Sequence, residues 1–380
     1  MDGNTTGGVP SVEGIHSVGL VTQDSRGNEA PRLAAELPSL GNGTIALLPD
    51  GRMQTTWRLR ADVTWHNGAQ FTSADVVFGF QVAPEFRAGR GAYSFIERVD
   101  ALDSLTARIT WTSPYFDALN LTHRNYWVLP KHLLAEAFQE DGQAFLKSSY
   151  FTSDYVHLGP FRLVDWGLGE NLVFERYDRY FLGQPKVGKI VIRVIGDPSA
   201  VLANLRAGTV DVAPQGTLLD DALIDLRDEW ARTGEGVVVT RPQNWRYIWF
   251  QLSPEFGRPV ELAQDVRLRR GFLFGLDRGA LRELMLPGIA DTNGDSFLAA
   301  NDPRSGIVGQ PFARYLYDPT RAVAEWNSFG WSRAPDGRVL SPSGQPVQVE
   351  LRAQASDPKQ VAAIAAGWRQ LGVDVTEYLV

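Results

Sequence analysis

The stretch Trp57–Phe80, WRLRADVTWHNGAQFTSADVVFGF, says more about the architecture of this chain than any other part of it. Apolar and polar residues alternate from Trp57 to Trp65, which predicts a half-buried strand. His66-Asn67-Gly68 is a turn signal. Thr72 then suits the N-cap position of a helix, and Asp75 three residues later suits its capping-box partner. The stretch therefore predicts a strand, a turn and a capped helix, and none of these is catalytic by itself.

The same stretch resembles the signature of the family 5 extracellular solute-binding proteins. These are the oligopeptide-, dipeptide- and nickel-binding receptors of bacterial and archaeal ABC importers. The matching residues are Leu59, Arg60, Asp62, Val63, Trp65, Asn67, Gly68, Phe71, Thr72, Ser73, Asp75, Val76, Val77 and Phe78. Further blocks resemble the family in the same order, and they are Leu158–Gly183, Val191–Ala213, Asp265–Leu281 and, more weakly, Tyr317–Trp331. The resemblance covers nearly the whole chain from about Leu20 onward.

The resemblance implies an α/β fold of the periplasmic-binding-protein kind, type II and similar to cluster C, with several lobes. Against the family pattern both ends look cut, so we expect the fold to be incomplete at the N- and C-termini. The implied domains are a disordered start with a remnant of the main lobe (1–20), an extra α+β lobe (21–157), the main α/β lobe (158–243) and a second ligand-binding lobe, truncated at its C-terminal end (244–380).

The function that the resemblance implies is binding rather than catalysis. Such a protein captures a peptide or similar small solute between two lobes and delivers it to an ABC permease in the membrane. The implied protein is a monomer without a cofactor. It works outside the cytoplasm, in the periplasm or on the outer face of the cell membrane, where some members are lipoproteins.

Composition excludes several classes of protein. The net charge of −7, from 44 acidic and 37 basic residues, argues against a nucleic acid partner. The chain has no cysteine, which excludes disulfides, thiol catalysis and cysteine metal sites. Its start, MDGNTTGGVP, has neither a basic nor an apolar region, so no signal peptide is visible.

Motifs for catalysis and metal binding are missing from the sequence. It contains no G-x-S-x-G, P-loop, H-E-x-x-H or dinucleotide fingerprint, and its five histidines lack ligand spacing. The run Asp291–Asp295 begins like a calcium loop, but Ser296 stands where that loop needs glycine. We therefore predict no catalytic residue and no metal site.

Four residues are candidates for ligand contact. Trp245 and Arg246 precede a run of alternating aromatic residues, at the point where the family chain crosses between lobes. Tyr93 stands where family members carry a ligand-contacting tyrosine, and Arg124 where some carry an arginine that contacts anions. A guanidinium can bind a carboxylate through two hydrogen bonds, although a surface salt bridge is an equally simple role for Arg124.

Local patterns predict the remaining elements. They are a hairpin of Thr44–Leu48 with Met53–Leu59, a β-α-β unit over Lys189–Ala213 with its second strand at Val210–Val212, helices that begin at Asp277 and Asp318, a helix over Asp357–Leu371, and a strand with Tyr247 and Trp249. Residues 1–16 are predicted to be poorly ordered. Core positions are predicted for Trp57, Trp65, Trp166 and Trp368.

Two other functions stay open at the level of sequence. One is an α/β hydrolytic enzyme, against which the missing nucleophile and base motifs argue. The other is a regulatory module that senses a ligand with the solute-binding fold. Assays with ester and peptidase substrates address the first alternative, and a neighbouring DNA-binding domain would indicate the second.

Overall fold

The computed structural model describes residues 9–24, 28–85, 91–167, 169–240, 246–288, 295–296, 298, 303–309, 313–355 and 358–380. The chain divides by its internal contacts into two compact units, Met1–Leu218 and Leu219–Val380. The division between these units falls inside the predicted main lobe (158–243). The four-part division into lobes therefore stays a prediction, and each unit is described here by itself.

The first unit contains helices and strands in alternation. Its helices are α1 (Val9–His16), α2 (Ser73–Val82), α3 (Lys131–Glu140), α4 (Gly142–Phe145) and α5 (Pro198–Arg206), with short 3-10 helices at Gly91–Ser94 and Ser149–Phe151. Its strands are β1 (Val21–Gln23), β2 (Glu29–Pro31), β3 (Ile45–Leu47), β4 (Met53–Arg58), β5 (Ile96–Asp103), β6 (Thr106–Trp111), β7 (Phe161–Gly167), β8 (Asn171–Arg176) and β9 (Lys189–Arg193).

A four-stranded antiparallel sheet in the order β3-β4-β6-β5 carries the main core of the first unit. The predicted hairpin is confirmed, because β3 and β4 pair directly and Ile45 lies opposite Thr55. Thr55 is fully buried, and its hydroxyl oxygen accepts the indole N–H groups of both Trp57 and Trp111 at 3.0 Å. One side chain thus satisfies two buried donors, which would otherwise destabilise the core.

The signature stretch folds largely as its pattern predicts. Helix α2 begins after Thr72, and the Asp75 carboxylate turns back to accept the Thr72 N–H at 2.9 Å. The same carboxylate accepts the Trp65 indole N–H at 3.3 Å and the Lys131 backbone N–H at 2.9 Å. Burial raises the pKa of Asp75 above its usual range. Asp75 therefore joins α2 to the residues around it and has a structural role.

The strand within this stretch is shorter than predicted. Strand β4 ends at Arg58, and a turn interrupts the chain near Asp62. Leu59 and Val63 are nevertheless buried, as is Trp65. The alternation therefore identified the buried residues correctly, although the backbone beyond β4 is irregular.

The predicted β-α-β unit is only partly present. Strand β9 and helix α5 form, and the Asp197 carboxylate caps α5 by accepting the Ser199 N–H at 2.9 Å. The prediction of a second strand at Val210–Val212 is wrong. These residues have no strand neighbour in the described part of the chain, and Val212 is 75% exposed. The antiparallel sheet β7-β8-β9 therefore ends at β9.

Two other predictions for the first unit need correction. Residues 9–16 form the helix α1, so the first 16 residues are not uniformly without structure. Hydrogen bonds of His16 and the neighbouring Ser17 attach this helix to the unit. Trp166 is only half-buried, because it lies on β7 at an edge of its sheet. Trp57 and Trp65 are confirmed as core residues.

The second unit has mixed architecture. Its helices are α6 (Asp220–Thr233), α7 (Glu261–Gln264), α8 (Val266–Phe274), α9 (Arg278–Met285), α10 (Pro303–Val308), α11 (Pro319–Phe329) and α12 (Pro358–Gln370), and its strands are β10 (Ser332–Arg333), β11 (Val339–Leu340), β12 (Gln348–Ala353) and β13 (Asp374–Leu379). Strands β12 and β13 are parallel, and α12 connects them. This β-α-β unit includes the predicted helix, although Asp357 lies outside the described residues.

Aromatic side chains fill the core of the second unit. Phe272 on α8 lies at its centre, with ring centroids 5.1 Å from Trp326, 6.3 Å from Trp331 and 4.9 Å from Trp368. The indole N–H of Trp368 donates to the Phe272 carbonyl at 3.1 Å. Trp368 is therefore confirmed as a core residue. The helices predicted from Asp277 and Asp318 also form, since these two carboxylates cap α9 and α11.

Candidate ligand-binding residues

Arg246 is the described residue nearest to the predicted crossing point. It is exposed, and its Nη2 lies 3.2 Å from Oδ2 of Asp220 at the start of α6. Its Nη1 donates to Oε1 of Gln360 on α12. About half of the Arg246 and Asp220 side-chain surfaces remain open to water, so a pair of this kind is weak and exchangeable. Trp245, its predicted companion, lies outside the described residues.

The residues after Arg246 alternate between core and surface. Ile248 and Phe250 pack against the core of the second unit. Tyr247 and Trp249 point outward, 67% and 81% exposed, with ring centroids 5.0 Å apart in an edge-to-face arrangement. The prediction of a strand here is wrong, because the segment pairs with no strand in the described part of the chain. The alternation of inward and outward side chains, from which the strand was predicted, is nevertheless present.

Tyr93 belongs to the core of the first unit. Its ring stacks on Tyr126 at 5.4 Å, and its hydroxyl oxygen accepts the Trp127 backbone N–H at 2.8 Å. Burial raises its pKa, so the phenol is neutral at any physiological pH. The residue as a whole is only partly buried. Its ligand contact stays a prediction.

Arg124 forms a surface ion pair. Its Nε lies 3.1 Å from Oε2 of Glu13 on α1, and both side chains are about half exposed. His123 lies beside the same carboxylate, with its Nε2 at 3.9 Å. Arg124 therefore has the salt-bridge role that the sequence left open beside anion binding, and its ligand contact also stays a prediction.

The candidate residues fall in different units. Tyr93 and Arg124 belong to the first unit and Arg246 to the second, so neither unit alone brings them together. Sequence reasoning missed Asp220 and Gln360 as partners of Arg246. Asp220 is 26 positions away and Gln360 is 114 positions away, and no local pattern signals such contacts. The alternation of aromatic residues in the sequence included Trp249, but the alternation did not show which face of the segment is exposed.

Among the described residues, no group of three or more histidine, cysteine or acidic side chains is placed to bind a metal ion. Most of the calcium-like run lies outside these residues, and Asp295 within them pairs with Arg278 at 2.8 Å. No described helix is long and apolar enough to cross a membrane.

Comparison with protein families identifies the group to which the chain is related. Residues 47–377 match the bacterial extracellular solute-binding proteins, family 5 (middle region). The chain belongs to this family. The match includes the signature stretch from Trp57 to Phe80 and each of the later blocks, so the resemblance seen in the sequence is confirmed.

Curated relatives in this family carry related names. A putative ABC transporter peptide-binding protein of Brucella ovis is 26% identical over 306 residues, which cover 78% of this chain and 53% of the relative. The oligopeptide-binding protein AppA of Bacillus subtilis is 22% identical, over 87% of this chain and 59% of AppA. The chain thus spans about half the length of the curated relatives it matches.

Solved structures of family 5 proteins share the fold. NikA from Brucella suis, in complex with Fe(III)-EDTA, covers the whole chain with a TM-score of 0.76 at 21% identity, and the chain covers 71% of NikA. AppA from Bacillus subtilis, in complex with a nonapeptide, covers 99% of the chain with a TM-score of 0.64 at 19% identity, and the chain covers 71% of AppA. The fold is therefore that of the type II periplasmic binding proteins, as predicted.

Proposed function

We propose that this family 5 protein is the substrate-binding component of an ABC importer. It binds a peptide or a similar small solute outside the cytoplasm and delivers it to a membrane permease. Membership of the family supports this proposal, as do relatives named as ABC transporter peptide-binding and oligopeptide-binding proteins. The observation that carries it in this chain is the exposed aromatic pair Tyr247 and Trp249 beside Arg246.

This arrangement suits a peptide. Aromatic rings offer large, rigid apolar surfaces to side chains of varied shape, and the Trp249 indole N–H can donate to a peptide carbonyl. The Arg246 guanidinium can bind a carboxylate, such as a peptide C-terminus, through two hydrogen bonds. Its exposed pair with Asp220 costs little to exchange for such a ligand.

The proposed protein is a binding protein without catalytic activity. A lobed binding protein works by closing over its ligand, so it needs no nucleophile or general base. The hydrolase alternative has no observation in its favour, and incubation with ester and peptide substrates tests it. Hydrolysis that a purified sample retains through repeated chromatography would overturn this part of the proposal.

Replacing Trp249 by alanine is expected to weaken peptide binding by about 1–3 kcal/mol, roughly ten- to a hundredfold in affinity, because an aromatic contact is lost. Isothermal calorimetry of the full gene product against a peptide library measures this. Phe256→Ala is the matched control, since Phe256 is an exposed aromatic residue of the same unit and belongs to no candidate site. Its affinity should match that of the unaltered protein.

The outcomes separate the function from its site. If no peptide in the library binds, the peptide function is wrong. If peptides bind and Trp249→Ala changes nothing, the aromatic pair is not the site. Alanine at Tyr93, Arg124, Trp245 and Arg246 then shows which of the residues named from the sequence contact the ligand.

A further inference from the structure

Four of the five histidines lie together in the first unit, and none belongs to the proposed ligand site. They are His16, His66, His123 and His157, called the histidine cluster below. His66 and His157 are buried, and the other two are half-buried. Positive charge on one ring disfavours charge on the others, since His66 and His123 both lower the pKa of His16. The cluster is therefore most stable when all four rings are neutral.

The hydrogen bonds of His66 require a neutral ring. Its Nδ1 accepts the backbone N–H of His157 at 3.2 Å, so the ring proton is on Nε2, which donates to the Gly159 carbonyl at 2.9 Å. The His66 backbone N–H also donates to the His157 carbonyl at 3.0 Å. A second ring proton would lie on Nδ1 and face the His157 N–H. Protonation of His66 therefore breaks its hydrogen bond with the His157 N–H and brings two N–H groups to face each other.

His16 attaches helix α1 to the same segment. Its carbonyl accepts the Gly159 N–H at 3.0 Å, and its ring stacks on Phe174 of β8 at 5.5 Å. Its Nδ1 lies 2.8 Å from the Ser17 hydroxyl, which also contacts the Tyr155 hydroxyl at 2.9 Å. Gly159 approaches so closely that a Cβ there would lie 2.3 Å from the His16 carbonyl carbon. This close approach fixes the His16 backbone against Gly159, and burial of the ring lowers the pKa of His16.

The other two histidines add to the cost of protonation. His157 is buried between the rings of Trp65 and Tyr155, and its Nδ1 has no partner among the described residues. Burial lowers the pKa of His123, and the charge of the neighbouring Arg124 lowers it further. A buried imidazolium without a partner is strongly unfavourable, so protonation at either position favours opening.

The charged groups around the cluster are mostly cationic. Arg162 lowers the pKa of His66, and Arg124 acts in the same way on His123. Tyr155 packs on the ring of His16 and Tyr177 on that of His66. Burial raises the pKa of Tyr155, so its phenol is neutral at the pH of interest. Two described anions lie near the cluster. Glu13 already pairs with Arg124 at 3.1 Å, and Asp75 accepts the indole N–H of Trp65, whose ring packs on His157. The surrounding groups therefore do not compensate the positive charge that a protonated ring of the cluster would carry.

We propose that the histidine cluster is an acid-sensitive latch, which fastens helix α1 and residues 157–159 to the turn at His66 while its rings are neutral and releases them when they are protonated. The released segment includes the approach to strand β7. Mild acid would thus loosen one region of the first unit before the unit as a whole unfolds.

The direction of the pH dependence follows from burial. Burial is the main cause that lowers the pKa of His16 and of His66 from the usual 6.5 to about 4. In the released state these rings regain their usual pKa and bind protons more readily, so release is favoured as the pH falls from about 6.5 to about 4. At pH 5, His16 and His66 each raise the release equilibrium about 20-fold over that at pH 7.

Native-state hydrogen exchange of the 380-residue chain between pH 7 and pH 5 tests the latch. The reporters are the backbone amides of His66, His157 and Gly159, which make the latch hydrogen bonds. Their protection factors, corrected for intrinsic exchange, are expected to fall about 10²–10³-fold at pH 5. The Leu59 amide, bonded to the Leu105 carbonyl at 2.7 Å, should keep its protection.

Two variants sharpen the test. His66→Gln keeps a donor for the Gly159 carbonyl and cannot titrate, so the loss of protection between pH 7 and pH 5 should be about 20-fold smaller. His132→Gln is the control, since His132 is exposed and makes none of the latch hydrogen bonds. It should behave like the unaltered chain.

Three results would overturn the proposal. The first is that protection factors at the reporter amides do not change with pH. The second is an equal loss of protection at Leu59, which indicates global unfolding, and the third is a His66→Gln variant that keeps the full pH dependence. If His66→Gln does not fold, NMR titration of the histidine rings in the unaltered chain decides, because ordinary pKa values for His16 and His66 contradict the latch.

Discussion

Replacing Phe272 by alanine is expected to lower the free energy of unfolding of the second unit by about 3–5 kcal/mol. Phe272 is almost fully buried at the centre of the aromatic core, and three tryptophans lie within 6.3 Å of its ring. Trp326 and Trp368 are fixed on different helices and Trp331 follows α11, so these large flat rings cannot collapse into the space of the lost ring and most of the cavity remains. Urea unfolding followed by tryptophan fluorescence measures the change.

Phe256→Ala is the control for this experiment. Phe256 is 66% exposed in the same unit, so its removal should change stability by less than about 0.5 kcal/mol. Because the chain has two units, the first unit should keep its own unfolding midpoint in the Phe272 variant. Equal losses for the two alanine variants would contradict the central position of Phe272.

Replacing Thr55 by valine is expected to destabilise the first unit by about 2–6 kcal/mol, at about 1–3 kcal/mol for each of two buried donors left without an acceptor. Valine has nearly the shape of threonine, so packing is preserved. The loss falls on the indole N–H groups of Trp57 and Trp111, both fully buried. Thermal and denaturant unfolding of the variant measure it.

Thr110→Val is the matched control on the same sheet. Thr110 is equally buried, but its hydroxyl accepts only the Gln54 side-chain amide at 3.3 Å. Gln54 is half-exposed and can turn to water, so we expect a cost below about 1 kcal/mol. If the two valine variants are equally stable, the double hydrogen bond at Thr55 contributes nothing.

The elements that the sequence predicted well are those determined by neighbouring residues. Asp197, Asp277 and Asp318 each precede a helix, and all three carboxylates accept backbone N–H groups there. The turn residues Asp50-Gly51 likewise determined the hairpin of β3 and β4. Caps and turns depend on a few adjacent side chains, so one sequence suffices to find them.

The errors arose where a structure depends on distant partners. Val210–Val212 has the composition of a strand, but a strand forms only when another strand offers hydrogen bonds, and none does so in the described part of the chain. Trp166 is a residue of a type that usually lies in a core, but it lies on the edge strand of a three-stranded sheet. Helix α1 was missed because its attachment comes from contacts such as that between Ser17 and Tyr155, 138 positions apart.

The candidate site shows the same limit. Alternation correctly identified a segment with one apolar and one outward face, but periodicity cannot say which aromatic rings remain exposed. Arg124 and Arg246 were named for their charge. Their carboxylate partners, Glu13 and Asp220, are set by the folding of remote segments and leave no trace in the local sequence.

The segment Tyr247–Leu252, exposed at every position except Ile248 and Phe250, has a further consequence for handling the protein. Its six residues, YIWFQL, contain no charge, proline or glycine, and three of them are bulky aromatics. Short uncharged runs of this composition stack into intermolecular cross-β assemblies when their backbone is unpaired. We expect this run to set the concentration at which the chain self-associates, and light scattering of a Trp249→Lys variant, with a charge in the middle of the run, should show a higher threshold.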